Sequence, residues 1–169
     1  LGVSLKLHQC TSSALGDIIG ADSIPIITKW PTYLIINSSS SPSIPGHRTL
    51  IYASSPLSAM EYFDPLGRTP AENSIHIDDY LRTHSAPAYL TSHLQVQPGN
   101  SMNCGLFCCF MADKRCQGES FAQVMNYFKS RDLTYNDIMV RDYYHEHIQH
   151  SGGELLDSLY NRHHGSITY

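Results

Sequence analysis

Four residues of this chain have the side chains for nucleophilic chemistry: His47, Asp64, Gln97 and Cys104. Cys104 stands at a seam, where the polar run Gln97-Pro98-Gly99-Asn100-Ser101-Met102-Asn103 gives way to apolar Leu106-Phe107-Cys108-Cys109-Phe110. A thiol at the first turn of a helix feels the partial positive charge of unpaired N–H groups, which favours thiolate over thiol. A thiolate attacks a carbonyl carbon, and an imidazole takes and returns the proton. A carboxylate fixes the imidazole tautomer, and a side-chain amide N–H stabilises the oxyanion. Gly105 leaves room beside the thiol for a substrate backbone. Taken alone, Cys104 also fits a small buried hydrophobe, and composition and periodicity do not bring the four residues together.

The elements that must position them can be read from pattern. Thr32 to Asn37 is β-branched and aromatic, as a buried strand is, and follows Trp30-Pro31. Ser38 to Gly46, with four consecutive serines and two prolines, reads as an exposed connection ending at His47. Thr49 to Ala53 and Ala59 to Phe63 read as an antiparallel hairpin. The second strand stops at Asp64-Pro65-Leu66-Gly67, because Pro65 cannot continue a central ladder and Gly67 belongs to a turn. Ile75 to Leu81 predicts a short amphipathic helix, and Tyr89 to Val96 a strand that delivers Gln97. A helix opened by Asn103 or Cys104 is expected to run to about Arg115 and to stop by Gly118. Ser120 to Phe128 starts on a good N-cap; Asn136 to His147 and Glu154 to Tyr160 are expected to be further helices. Residues 1 to 28 carry no clear pattern beyond a helical turn or short strand at Leu15 to Ile19, and there is no internal repeat.

The 169 residues fit one domain, 1–169, with a core that needs no disulfide or metal. The formal charge of −4 argues against a broad electrostatic nucleic-acid footprint, although Lys114-Arg115 and Lys129 with Arg131 could form local patches. Three of the five cysteines fall between Cys104 and Cys109, which reads as a reducing compartment rather than a disulfide framework. Cys108 and Cys109 read as core packing. No Cys-x-x-Cys pair occurs, so no zinc site is expected. The His145-x-His147-x-x-His150 cluster with His163-His164 reads as a solvated helix face rather than a metal site. Ser151-Gly152-Gly153 reads as a helix-breaking linker. Neither a secretory segment nor a membrane-spanning stretch is expected.

The run Gln97-x-x-Asn100-Ser101-x-x-Cys104-Gly105-Leu106-Phe107-Cys108-Cys109, joined to Gly46-His47 and to Tyr62-Phe63-Asp64-Pro65-Leu66-Gly67, resembles the adenovirus-type (adenain-like) cysteine proteases. That group includes relatives in viruses and virus-like transposons and belongs with the SUMO-specific proteases. The likeness covers roughly Tyr33 to Met111 and rests on residue order, spacing and flanking residues together. It implies an α+β papain-like/adenain-like fold, with a central mixed sheet and the nucleophile-bearing helix packed against it. It further implies His47 as general base and acid, Asp64 as its orienting partner, Cys104 as nucleophile, and Gln97 with the Cys104 backbone N–H as oxyanion hole. Gly46, Arg48, Asn103 and Gly105, which flank these four, are read as substrate-binding positions. The residue after the histidine is usually Trp in this family and here is Arg48, so the wall beside His47 is expected to differ.

The resemblance implies a thiol endopeptidase that needs no cofactor or metal and processes viral structural precursor polypeptides at small or Gly-containing sites. It would act in the infected host cell, nucleus or cytoplasm, and in the virion, without a membrane partner. No cysteine lies between Cys10 and Cys104, so any activating peptide is expected not to be disulfide-linked, and the acidic chain is not expected to use DNA as an activator. Other readings stay open: a protease for ubiquitin-like modifiers of the SUMO or NEDD8 type, a catalytically silent relative that only binds partners, and, more remotely, a coenzyme A-dependent acyltransferase.

Overall fold

The computed structural model describes residues 18–39, 46–86 and 88–148. Five strands form one sheet in the order β1-β2-β3-β4-β5: β1 (Ile19–Gly20), β2 (Thr32–Asn37), β3 (Arg48–Ala53), β4 (Glu61–Phe63) and β5 (Leu90–Thr91). The sheet is mixed, because β1 runs parallel to β2 and β5 parallel to β4, while β2/β3 and β3/β4 are antiparallel. The Trp30–Pro31 peptide before β2 is cis.

Alternation along the central strands assigns the two faces. Tyr33, Leu50, Tyr52 and Phe63 pack with Phe107, Cys108 and Met111, whereas Leu34, Ile36, Ile51 and Tyr62 pack with Ile77, Tyr80 and Leu81. Both faces are covered, which explains why Tyr33 to Ile36 of β2 and Leu50 to Ala53 of β3 are continuously apolar rather than alternating with polar residues. On one side lie α1 (Pro70–Asn73) and α2 (Ile75–His84); on the other lie α3 (Cys104–Cys116), α4 (Phe121–Met125) and α5 (Leu133–Tyr143). The expected α+β architecture, with the Cys104 helix against a central mixed sheet, is therefore present.

Local chemistry accounts for the helix starts. Thr69 and Glu72 form a reciprocal capping box at α1, with Pro70 at the first turn, and Ser74 caps α2. Ser120 and Gln123 form another box at α4. Asp132 caps α5 by accepting from Tyr135 N–H at 2.9 Å, so this helix begins three residues before the expected Asn136. It continues into a wider π turn over Tyr144–Ile148. The predicted helix at Glu154 to Tyr160 lies outside the described residues, as do Ser151-Gly152-Gly153, His150, His163 and His164.

One expectation needs correction. The strand predicted over Tyr89 to Val96 pairs only at Leu90 and Thr91. Gly67, with φ +73°, brings its backbone so close that a Cβ there would lie 2.7 Å from the His93 carbonyl and 2.8 Å from Gln95 N. The following chain is thus engaged by the turn after β4. Cys104, Cys108 and Cys109 are free thiols.

Candidate active site

The register of the β3/β4 hairpin brings two of the four residues to one end of the sheet. Leu50 pairs with Phe63, so His47, just before β3, and Asp64, just after β4, emerge together. His47 Nε2 lies 2.5 Å from Asp64 Oδ1. The His47 side chain is 13% exposed and that of Asp64 is fully buried, so this contact is made with little water around it.

Asp64 is held from several directions. Oδ1 also accepts from Leu66 N–H at 2.8 Å, while Oδ2 accepts from Arg68 N–H at 3.2 Å and from Asn73 Nδ2 at 2.7 Å. The Leu66 donor comes from the Asp64-Pro65-Leu66-Gly67 turn itself, closed by Gly67 N–H to the Asp64 carbonyl at 2.9 Å, and Arg68 follows it directly. Burial pushes the Asp64 carboxyl pKa up, but His47, Asn73 and Leu66 outweigh it, and the pKa ends below the usual value.

Because β5 runs parallel to β4, the chain leaving it heads toward the same end of the sheet. Val96 N–H and Gln97 N–H both donate to the Pro65 carbonyl at 2.9 Å, fixing Gln97 beside the residue that follows Asp64. Gln97 is 2% exposed. Its Nε2 donates to the Ser101 carbonyl at 2.7 Å, while its Oε1 is buried without a hydrogen-bond partner. Turning the amide over would set two carbonyl oxygens against each other, so the orientation is determined, and Nε2 retains a second hydrogen.

Cys104 is the first residue of α3 and 6% exposed. One turn further on, the Cys108 thiol donates to the Arg48 carbonyl at 3.5 Å, which seats the helix start against the start of β3. There the His47 ring and the Arg48 backbone N–H lie close enough to the Cys104 thiol to lower its pKa. With Nε2 on Asp64, Nδ1 is the ring nitrogen left to exchange a proton with sulfur. His47 thus links Asp64, by a hydrogen bond, with Cys104, by mutual electrostatic support, in one row.

The electrostatics of the row favour charge separation. Burial pushes the Cys104 thiol up, but His47 and Arg48 outweigh it and bring its pKa below the usual 9.0. Burial pulls the His47 imidazole down, but Asp64 and Cys104 raise its pKa from 6.5 to about 9. Thiolate and imidazolium support one another. By contrast, burial pushes Cys108 well above 9.0 and Cys109 to about 12, leaving them as core thiols.

The flanking positions divide. A Cβ on Gly105 would meet nothing within 4 Å, so the surface beside the nucleophile is open. Gly46 packs against the Asn37 side chain, whose amide oxygen a Cβ would overlap. Arg48 is only 5% exposed and turns inward, with Nη1 donating to the Gly46 carbonyl at 2.9 Å; it is not an outward wall. Asn103 directs its Nδ2 to Asp137 at 3.0 Å. Asn73 and Asp137 were absent from the sequence reading, and only distance in the fold reveals them. Among the described residues, no three His, Cys, Asp or Glu side chains converge as a metal site needs, and no helix is long and apolar enough to cross a membrane.

The row can support nucleophilic attack on a polarised carbonyl with proton return through one imidazole. No family model matches this chain, nor does any curated protein. Among solved structures it is similar to the ASFV pS273R protease, at TM-score 0.44 and 14% identity over 62% of this chain. The selenomethionine form of that protease gives 0.44 and 15%. The chain spans about two fifths of that protease, 40% and 41% in the two cases.

Proposed function

We propose that this chain is a thiol endopeptidase of the adenain type. The observation that carries the reading is the position of His47, with Nε2 2.5 Å from Asp64 Oδ1 and its ring beside Cys104, each favouring the charge on the other. In this reading Cys104 Sγ attacks the scissile carbonyl, and the new oxyanion is met by the Cys104 backbone N–H and the second Nε2 hydrogen of Gln97. The His47 imidazolium gives its proton to the leaving amine as the C–N bond breaks. It then takes a proton from water, whose oxygen attacks the thioester and releases the acid and the free thiol.

The open surface at Gly105 suits a substrate backbone passing close to sulfur, and hence small residues at the cleavage site. On the motif resemblance, the substrates are viral structural precursor polypeptides, processed in the infected cell or the virion. Cys104→Ala should abolish peptide hydrolysis while leaving the far-UV circular dichroism and unfolding midpoint near those of the parent. Cleavage by that variant at the parental rate would overturn the proposal, as would failure of the parent to label at Cys104 with a thiol-reactive probe. Rapid covalent capture by SUMO-, NEDD8- or ubiquitin-based probes would move the substrate assignment to ubiquitin-like modifiers.

A further inference from the structure

The segment from Val96 to Asn103 carries Gln97 at one end and leads into Cys104 at the other, yet it has no regular secondary structure. Two adjacent residues of α5 hold both ends. Asn136, fully buried, donates through Nδ2 to the Val96 carbonyl at 2.9 Å and to the Lys129 carbonyl at 2.8 Å, and accepts from Lys129 N–H at 2.7 Å. All its amide hydrogens are used, so its position is determined.

Asp137 takes the other end. Its Oδ1 accepts from Ser101 Oγ, and its Oδ2 accepts from Asn103 Nδ2 at 3.0 Å. Ser101 Oγ in turn accepts from Asn103 N–H at 3.1 Å, and the Ser101 carbonyl accepts from Gln97 Nε2 at 2.7 Å. One carboxylate therefore fixes Ser101, through which Gln97 is aimed, and Asn103, which immediately precedes the nucleophile. A chain of bonds runs from Gln97 through Ser101 and Asp137 to Asn103.

Resting on the thiol-protease reading above, we propose that Asp137 is a positioning residue for the oxyanion hole, holding the Gln97–Asn103 segment so that the Gln97 amide and the Cys104 N–H face the same point. It touches neither the His47–Asp64 pair nor sulfur in any bond described above. Its loss should therefore disturb stabilisation of a carbonyl oxyanion more than formation of the thiolate.

That separation supplies the test. Alkylation of Cys104 by iodoacetamide is a displacement at saturated carbon with no carbonyl oxyanion, whereas peptide hydrolysis needs one. Asp137→Ala should lower kcat for peptide hydrolysis by about 10- to 100-fold, the scale of a small misplacement at a reacting centre. KM and the pH dependence of iodoacetamide alkylation should stay near the parent's. Asp137→Asn should recover most of the rate, because its Oδ1 can still accept from Ser101 and Asn103 can turn its amide to accept from the new Nδ2. Should Asp137→Ala not fold, Ser101→Ala decides the question, since it removes the Oγ link but keeps the carbonyl that holds Gln97; the same selective loss is expected, smaller in size. Parental kcat in the folded variant would overturn the proposal, as would an equal fall in hydrolysis and alkylation. A parent that hydrolyses no peptide would instead overturn the protease reading itself.

Discussion

Asn73 Nδ2 donates to Asp64 Oδ2 at 2.7 Å, opposite the oxygen that meets His47. The same nitrogen reaches the Tyr62 hydroxyl at 2.8 Å, so the one-turn helix α1 braces the carboxylate from behind. The capping box of Thr69 and Glu72, with Thr69 N–H to Glu72 Oε2 at 2.6 Å, fixes that turn. A four-residue helix has little stability of its own, and its cap is what places Asn73.

Asn73→Ala should therefore cost about 1.5–3 kcal/mol in unfolding free energy, the scale for losing a hydrogen bond to a charged group. Peptide hydrolysis should fall roughly 10-fold in kcat/KM as the imidazole loses its firm partner. The folded Asp64 carboxyl lies below its usual range, so its contribution to stability is present above the unfolded pKa and lost as pH falls through the folded one. Without Asn73 that loss should begin at higher pH. Urea titrations at several acidic pH values would show it, and an unchanged acid transition would refute it.

The charge-separated pair makes a second prediction about pH. On the proposed reading, activity requires the Cys104 thiolate and the His47 imidazolium together, so kcat/KM should rise as Cys104 loses its proton, below 9.0. It should fall again as His47 loses its own near pH 9, giving a bell whose two limbs belong to the coupled pair. Because the folded His47 pKa stands above 6.5, its contribution to stability is complete below about that pH and lost as pH climbs through 9. The parent's urea midpoint should drop across this window more than that of His47→Ala. Parallel midpoints in the two proteins would count against the raised imidazole pKa.

At the other end of the Cys104 helix, Arg115 Nε donates to Glu61 Oε2 at 2.6 Å and Nη2 to Oε1 at 2.8 Å, with the guanidinium 4.5 Å above the Tyr52 ring. Both side chains are about nine-tenths buried. Bidentate pairing in that setting joins the last turn of α3 to the start of β4, while the Cys108–Arg48 bond joins its start to β3. Arg115→Met leaves Glu61 buried and unpaired and should destabilise by about 3–5 kcal/mol. The double variant Arg115→Met/Glu61→Met should recover part of that loss. Unfolding free energies of the three proteins check it, and a double variant no more stable than the single would disprove the uncompensated charge as the cause.

How much of this could be read in the chain depends on how local each cause is. β2 is found at its predicted bounds because Thr32 to Asn37 is buried on both faces, so propensity and burial agree. The start of α3 at Cys104 follows from a polar-to-apolar seam. The shortening of the Tyr89 to Val96 strand was hidden, because its cause is the backbone of Gly67 approaching from another element. Asn73, Asn136 and Asp137 were hidden for the same reason: the site groups they hold, from Asp64 to Val96, lie 9 to 40 residues away, and Asn and Asp in helices carry no local sign of what they hold. Arg48 was read from its place after His47, as the residue standing where an aromatic is usual, and that gives no sign of its direction; strand alternation puts it on the α3 side with Leu50 and Tyr52.

That placement yields the last prediction. Arg48 is buried beside Cys104, with Nε lacking a hydrogen-bond partner and its backbone N–H among the groups that lower the thiol's pKa. Burial lowers its own pKa, while charge on Cys104 and Cys108 opposes that fall, so the guanidinium and a Cys104 thiolate favour each other. Arg48→Met keeps the length of the side chain and the backbone N–H but removes the charge. The pH midpoint for iodoacetamide alkylation of Cys104 should rise by on the order of one pH unit, while Arg48→Lys stays close to the parent. Stability should hold or improve in the Met variant, since a buried group with an unpartnered donor has been replaced by an apolar one. A protein that becomes more stable and less reactive together identifies Arg48 as a residue kept for the thiolate rather than for the fold; an unchanged alkylation midpoint in Arg48→Met would show that the backbone N–H and His47 suffice.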